Sequence, residues 1–168
     1  MRNDEYVLFH GATSVVCEPL THVGRPDLDF GPGFYLTNNR EQAVSWALTK
    51  AARKKNHKAV LNVYRFEQGL FLSEKAFRSR IFPSYDKEWL DFIAESRKGQ
   101  QPWAGYDWIE GGIANDSVIS TVEAYVDGFI TAEVALGRLV NENLKHQVCI
   151  SNQVIIDKYL SFVEAIEL

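Results

Sequence analysis

The chain has 168 residues, enough for a domain with a substantial core, and its 46% hydrophobic and 24% charged content excludes disorder as the default state. A net charge of −4 excludes general attraction to polyanions, so a nucleic acid would have to dock on a local patch. Cys17 and Cys149 are too few for a disulfide framework or a Cys/His metal cluster; each reads as a small buried apolar residue, and no metal is expected.

The opening Met1-Arg2-Asn3-Asp4-Glu5 has acids where a secretory leader wants positive charge, and no apolar stretch is long enough for a bilayer. A reducing cytoplasm is the expected setting. No repeat, low-complexity tract or linker-like run interrupts residues 1–168, which read as a single domain.

Tyr6-Val7-Leu8-Phe9-His10 predicts a short buried strand, and Gly11 is expected to break it. From Val23 to Gly33, Gly24, Gly31 and Gly33 alternate with Pro26 and Pro32, predicting a loop of special backbone geometry. Phe34-Tyr35-Leu36-Thr37 predicts a strand leaving that loop. Asn39 and Gln42 have the spacing of a capping box, and Ala43, Trp46, Ala47 and Ala51 recur at helical spacing, predicting a helix to about Lys54. Lys50, Arg53, Lys54, Lys55, His57 and Lys58 cluster there. They read first as a solvated helix end, where cations complement the helix dipole, and second as a nucleic-acid patch.

Val60, Leu61, Val63, Tyr64 and Phe66 predict a central strand. Asp86 is a plausible cap for a helix whose inner face carries Trp89, Phe92 and Ile93. Tyr106-Asp107-Trp108-Ile109-Glu110 predicts a strand entering a tight turn at Gly111-Gly112. Helices follow from about Val118 to Tyr125 and from Ala132 to Leu139, separated by Asp127-Gly128. Val148-Cys149-Ile150 predicts a late strand, and Ser151 a cap for a brief helix ahead of a last strand near Phe162. Without regular βαβ alternation, the class is α+β.

Three places can carry chemistry: His10 at a strand end, the turn Gly31-Pro32-Gly33, and Gln147. Singly, each has a structural explanation: a satisfied imidazole, an ordinary turn and a strand-edge amide. Together, Phe9-His10-Gly11-Ala12, then Asp29-Phe30-Gly31-Pro32-Gly33-Phe34-Tyr35-Leu36-Thr37, then the helix with Ala43 and Trp46, form a pattern. It resembles the front half of the diphtheria-toxin-like ADP-ribosyltransferases, poly(ADP-ribose) polymerases included. Those enzymes carry His-Gly on their first strand and Gly-x-Gly-x-Tyr on the next, followed by a helix. Nearly the whole chain is similar to a bacterial family of unknown function, number 3990. The Asp-Phe-Gly-x-Gly-Phe-Tyr-Leu-Thr run, the Glu88-Trp89-Leu90-Asp91-Phe92 helix and the Ala114-Asn115-Asp116 turn are typical of it. Its members are often encoded like the toxin half of a toxin–antitoxin pair, which implies an antitoxin protein as a candidate partner.

The resemblance implies a split mixed sheet with flanking helices around an NAD cleft, with NAD as substrate. His10 would hydrogen-bond the adenosine ribose hydroxyl, a task for a neutral imidazole. Gly11, with Ala12 beside it, would offer a bare backbone N–H and C=O to the nicotinamide carboxamide. Tyr35 would stack on the nicotinamide, for about 0.5–1.5 kcal/mol beyond area burial. Gly31 and Gly33 would let the loop bend beside the substrate, with Phe34 and Thr37 on the strand leaving it. Arg25 would pair with the pyrophosphate, a surface-loop arginine being the alternative.

The third catalytic position falls on Gln147, where the polymerase-like enzymes have Glu. Its amide can accept a ribose hydroxyl's hydrogen bond but cannot act as a general base. Losing a full charge from such a site could cost several kcal/mol, judging by roughly 2.7–4 for one lost oxyanion donor. Glu110 and Glu142 are the candidate substitute acids, though both read first as plain surface acids. Asn115 and Asp116 could orient substrate but read first as helix caps. The implied activity is mono-ADP-ribosyl transfer from NAD to a macromolecule, protein or nucleic acid, with no role for a membrane. NAD hydrolysis, a non-catalytic NAD-binding module, and an RNA-processing transferase served by the Lys50–Lys58 patch are the alternatives.

Overall fold

Two sheets share the strands. β1 (Tyr6–Ala12), β3 (Val60–Phe66) and β7 (Leu160–Glu167) form an antiparallel sheet in the order β1-β3-β7. β2 (Phe34–Leu36), β4 (Ser79–Ile81), β5 (Trp108–Gly112) and β6 (His146–Ile150) form the other, in the order β2-β6-β5-β4, with β4 and β5 parallel. The helices are α1 (Arg40–Ala52), α2 (Gln68–Ser73), α3 (Lys87–Arg97), α4 (Asp116–Val126), α5 (Ala132–Leu139) and α6 (Gln153–Tyr159). The class is α+β, as the irregular alternation predicts. The computed structural model describes residues 6–25 and 27–168. The readings placed on Met1–Glu5, Pro26 and the Asp116 side chain lie outside the described residues. No helix of the described residues is long and apolar enough to cross a membrane.

β3 is the middle strand, which explains its run of β-branched and aromatic residues: Tyr64 and Phe66 are fully buried. They meet Leu8, Phe34, Trp108, Ile150 and Tyr159 in one core cluster. On the other side of the four-stranded sheet, Phe30, Phe82, Ile109 and Cys149 pack with Trp89 and Ile93 of α3, Val122 of α4 and Leu139 of α5. Trp89 can be wholly buried because its indole N–H donates to the Gly112 carbonyl at 2.9 Å. Asp86 caps α3 as expected, accepting from the Trp89 N–H at 2.9 Å.

Several local expectations need correction. Gly11 does not break β1, which runs on to Ala12. A Cβ there would lie 2.1 Å from the Ala43 carbonyl oxygen and 2.8 Å from the Ala47 nitrogen, so this glycine lets α1 lie directly on β1. Gly111-Gly112 is likewise no turn but the end of β5, pairing with Gln147 and His146. A Cβ on Gly112 would collide with the Tyr85 ring at 2.2 Å. The cap of α6 is Asn152, which accepts from the Val154 N–H at 3.0 Å, while the Ser151 hydroxyl donates to the Tyr106 carbonyl. Asn115 holds the N-cap position of α4 without a side-chain capping bond. Cys149 is buried, but Cys17 is exposed.

Half of the capping box forms. Asn39 Oδ1 accepts from the Gln42 N–H at 3.0 Å, whereas the Gln42 amide turns away and donates to the His146 carbonyl at 2.7 Å. That bond ties the start of α1 to β6 and fixes the helix above β1.

Candidate functional site

Among the described residues, one backbone bridge joins the edges of the two sheets. Phe9 N–H donates to Thr37 O at 2.8 Å and Thr37 N–H to Phe9 O at 3.0 Å, an antiparallel bridge between β1 and the end of β2. In a continuing antiparallel ladder the next rung would join Gly11 to Tyr35, because hydrogen-bonded pairs recur every second residue. Side chains take its place. His10 Nδ1 lies 2.7 Å from the Tyr35 carbonyl oxygen, and Lys50 Nζ donates to the Gly11 carbonyl at 2.7 Å. Strand parity turns the N–H groups of Gly11 and Tyr35 into the same gap, away from β3 and β6.

The Tyr35 carbonyl can only accept, so His10 Nδ1 carries a proton, and in the neutral ring Nε2 presents a lone pair. Burial pushes the imidazole pKa down to about 4; the nearby Lys50 ammonium adds to this and the Tyr35 carbonyl opposes it. At neutral pH the ring is therefore uncharged. It leans on Phe34, with ring centroids 4.6 Å apart.

Tyr35 is held as a ring rather than as an acid. Its hydroxyl donates to the Gly31 carbonyl at 2.6 Å, and burial raises its pKa. Gly31 adopts φ +80°, and a Cβ there would strike the Trp103 ring at 2.4 Å, so both conformation and space demand glycine. The loop is clamped from outside: Asp29 holds Arg97 of α3 through two bonds of 3.1 and 3.2 Å, and the Ser96 hydroxyl donates to the Asp29 carbonyl.

These groups border a cavity of about 460 Å³. Of the residues singled out in the sequence, it brings together His10, Arg25, Gly33, Phe34 and Tyr35. Two other clefts, each about 480 Å³, are as large, so the chemistry of the lining and not its size distinguishes this one. Gly11 is not among the lining residues, although its carbonyl accepts from Lys50, which is. Ala12 is paired with Val60, Gly31 serves the Tyr35 hydroxyl, and Thr37 is buried at the bridge; none of the three lines the cavity. Arg25 sits there exposed, its guanidinium gripping Asp27 at 3.1 and 2.9 Å, so the surface-loop reading and the cavity reading both describe it.

Gln147 does not line the cavity. It is buried opposite Gly111, with its amide 3.5 Å from the Gly112 carbonyl. It does share a sheet face with Cys149, the cross-strand partner of Tyr35, which puts it one diagonal step from Tyr35, about 7–8 Å in ordinary sheet geometry. The substitute acids are elsewhere. Glu110 accepts from His146 Nε2 at 2.7 Å and from the Trp108 indole at 3.2 Å. Asn38 N–H donates to His146 Nδ1, so Nε2 carries the proton given to Glu110. Glu142 accepts from the Ser117 hydroxyl beside another cleft.

Two charged residues of the cavity were missed as site residues: Lys50 and Glu18. Lys50 was detectable, since Ala43, Ala47 and Lys50 follow the i, i+4, i+7 spacing of one helix face. Glu18 sits in an irregular exposed segment with no periodic signal. The rest of the basic cluster stays on the surface, with Lys58 paired to Glu167 at 2.9 Å.

The fold and site thus define an α+β domain with a cavity where two sheets part, lined by a neutral imidazole, an aromatic ring and an ammonium group. The chain belongs to the family described as "Protein of unknown function (DUF3990)", which matches residues 6–162. No curated protein and no solved structure matches it.

Proposed function

We propose that this protein binds NAD where β1 and β2 part and transfers its ADP-ribose, as a single unit, to a macromolecular acceptor. The observation that carries the reading is the replaced rung. Gly11 and Tyr35 turn backbone N–H groups into one gap, and His10 and Tyr35 stand on its walls. The resemblance of the His10-Gly11 and Gly31-x-Gly33-x-Tyr35 segments to ADP-ribosyltransferases supplies the substrate, and the two-sheet arrangement is compatible with their split sheet.

In this reading, the Gly11 N–H donates to the nicotinamide carboxamide oxygen, and the Gly11 carbonyl accepts from its amide. The Tyr35 ring stacks on the nicotinamide, and His10 Nε2 accepts from a ribose hydroxyl. The N-glycosidic bond breaks with its electron pair leaving on nicotinamide. An acceptor nucleophile then bonds to the ribose carbon and gives up its proton. Gln147 is an amide buried outside the cavity and supplies neither charge nor base to the developing cation, so the base comes from the acceptor or its surroundings. A toxin acting on a cellular target in this way would need an antitoxin partner, as the family likeness implies.

A second reading has its own support: an NAD-binding module or slow NAD hydrolase. The Gln147 amide stands where the likeness expects a carboxylate, and it is buried outside the cavity. Purified protein with adenylate-labelled NAD separates the two. Nicotinamide release that requires cell extract, with label on a macromolecule, supports transfer. Release in buffer alone supports hydrolysis, binding without turnover leaves the module, and no binding rejects NAD.

A further inference from the structure

We infer that Lys50 is the cation that receives an anionic phosphate group of the ligand, and that its bond to the Gly11 carbonyl is the position it leaves to do so. The inference deepens the NAD reading by naming the residue that would meet the diphosphate.

The argument starts from α1. Ala43 and Ala47 press on the bare Gly11 backbone, and Lys50, one turn further along the same face, extends past them into the cavity. The residue is exposed as a whole, and partial desolvation by its surroundings lowers its pKa. Its partner there is a neutral carbonyl. No carboxylate of the described residues lies within ion-pair distance of Nζ. The adjacent His10 is uncharged and gives it no counter-charge. A desolvated cation without an anion is costly, and an anion bound beside it offsets that cost.

The surroundings narrow the chemistry. His10 presents an acceptor suited to a ribose hydroxyl, and Val16, Leu20 and Leu28 give apolar wall. Of the other charged groups on the cavity, Arg25 is already held by Asp27, and Glu18 would repel an anion close to it. Lys50 is therefore the cation free to take a phosphate, and a phosphorylated ribonucleoside fits the set. When Lys50 moves to that phosphate, the Gly11 carbonyl becomes available to the ligand's amide.

Calorimetric titration with adenosine, ADP and inorganic diphosphate tests this on the full chain and on Lys50→Gln and Lys50→Arg. Lys50→Gln should bind ADP at least tenfold more weakly and adenosine unchanged, and Lys50→Arg should recover part of the loss. In the unaltered protein, the Gly11 carbonyl carbon resonance should shift on adding diphosphate. Equal ADP affinity in Lys50→Gln, or no anion binding by the unaltered protein, overturns the inference. If diphosphate binds through Lys50 but adenosine and NAD do not bind, the anion site stands and the NAD reading falls. If NAD binds and Lys50→Gln leaves both NAD and ADP untouched, the reverse holds.

Discussion

Arg97 of α3 closes both prongs of its guanidinium on the Asp29 carboxylate, at 3.1 and 3.2 Å, across 68 residues of sequence. The pair is largely shielded, with side-chain exposures of 24% and 18%, and it pins the loop that carries Gly31 and Gly33 to the helical layer. Arg97→Ala should cost about 1–3 kcal/mol, between the values for exposed and buried pairs, and should weaken ligand binding by loosening the loop. Urea unfolding checks the first part. A cost below about 0.5 kcal/mol would show that the clamp does not hold the loop.

Gly11→Ala forces a methyl group against the Ala43 carbonyl. Overpacking of this kind costs about 1–3 kcal/mol or more, because backbone rather than a flexible side chain must give way. The melting temperature should drop by several degrees. An unchanged melt would mean that α1 does not rest on β1 in solution.

The His10 imidazole is held neutral in the folded protein, with a pKa of about 4 against an ordinary value of 6.5. The unfolded chain therefore binds the proton more readily, so stability should fall as pH drops from about 6.5 toward 4. Ligand contacts to Nε2 should be constant from pH 6 to 8. A proton titration followed by NMR at His10 settles it; an inflection near 6.5 would contradict the burial argument.

Tyr35 separates two roles of one side chain. Tyr35→Phe keeps the ring but leaves the Gly31 carbonyl only the weak Cys149 thiol donor at 3.9 Å, for a loss of about 1–3 kcal/mol in stability with NAD binding retained. Tyr35→Ala should abolish NAD binding while the fold persists. Retained affinity in the alanine variant would remove the ring from the proposed site.

Glu110 should behave as a structural acid. Glu110→Gln weakens its bond with His146 and should lower stability by about 1 kcal/mol. Nicotinamide release per folded molecule should stay the same. A large fall in release with the melt unchanged would restore Glu110 as a catalytic candidate.

Sequence periodicity located the elements whose packing follows from local pattern: the inner face of α3, the bounds of α5, and the central place of β3. It failed at Gly11, Gly111 and Gly112, because a glycine that admits another backbone or ring looks the same in sequence as one that ends a strand. The meeting of His10 with Tyr35 was an expectation that the resemblance supplied and no spacing did. The place of Lys50 did not, because a run of cations at a helix end hides the one member that lies on the inner face. The chemistry expected of Gln147 depended on how far along β6 the cavity reaches, and no spacing within β6 encodes that.

Because side chains occupy the two carbonyls where β1 and β2 part, access to the space behind them asks little of the backbone. A turn of the Lys50 stem about its own bonds uncovers the Gly11 carbonyl, a motion of picoseconds to nanoseconds for an exposed chain. Ligand entry should then be limited by encounter rather than by hinge closure, and free and bound proteins should superpose almost atom for atom in their sheets.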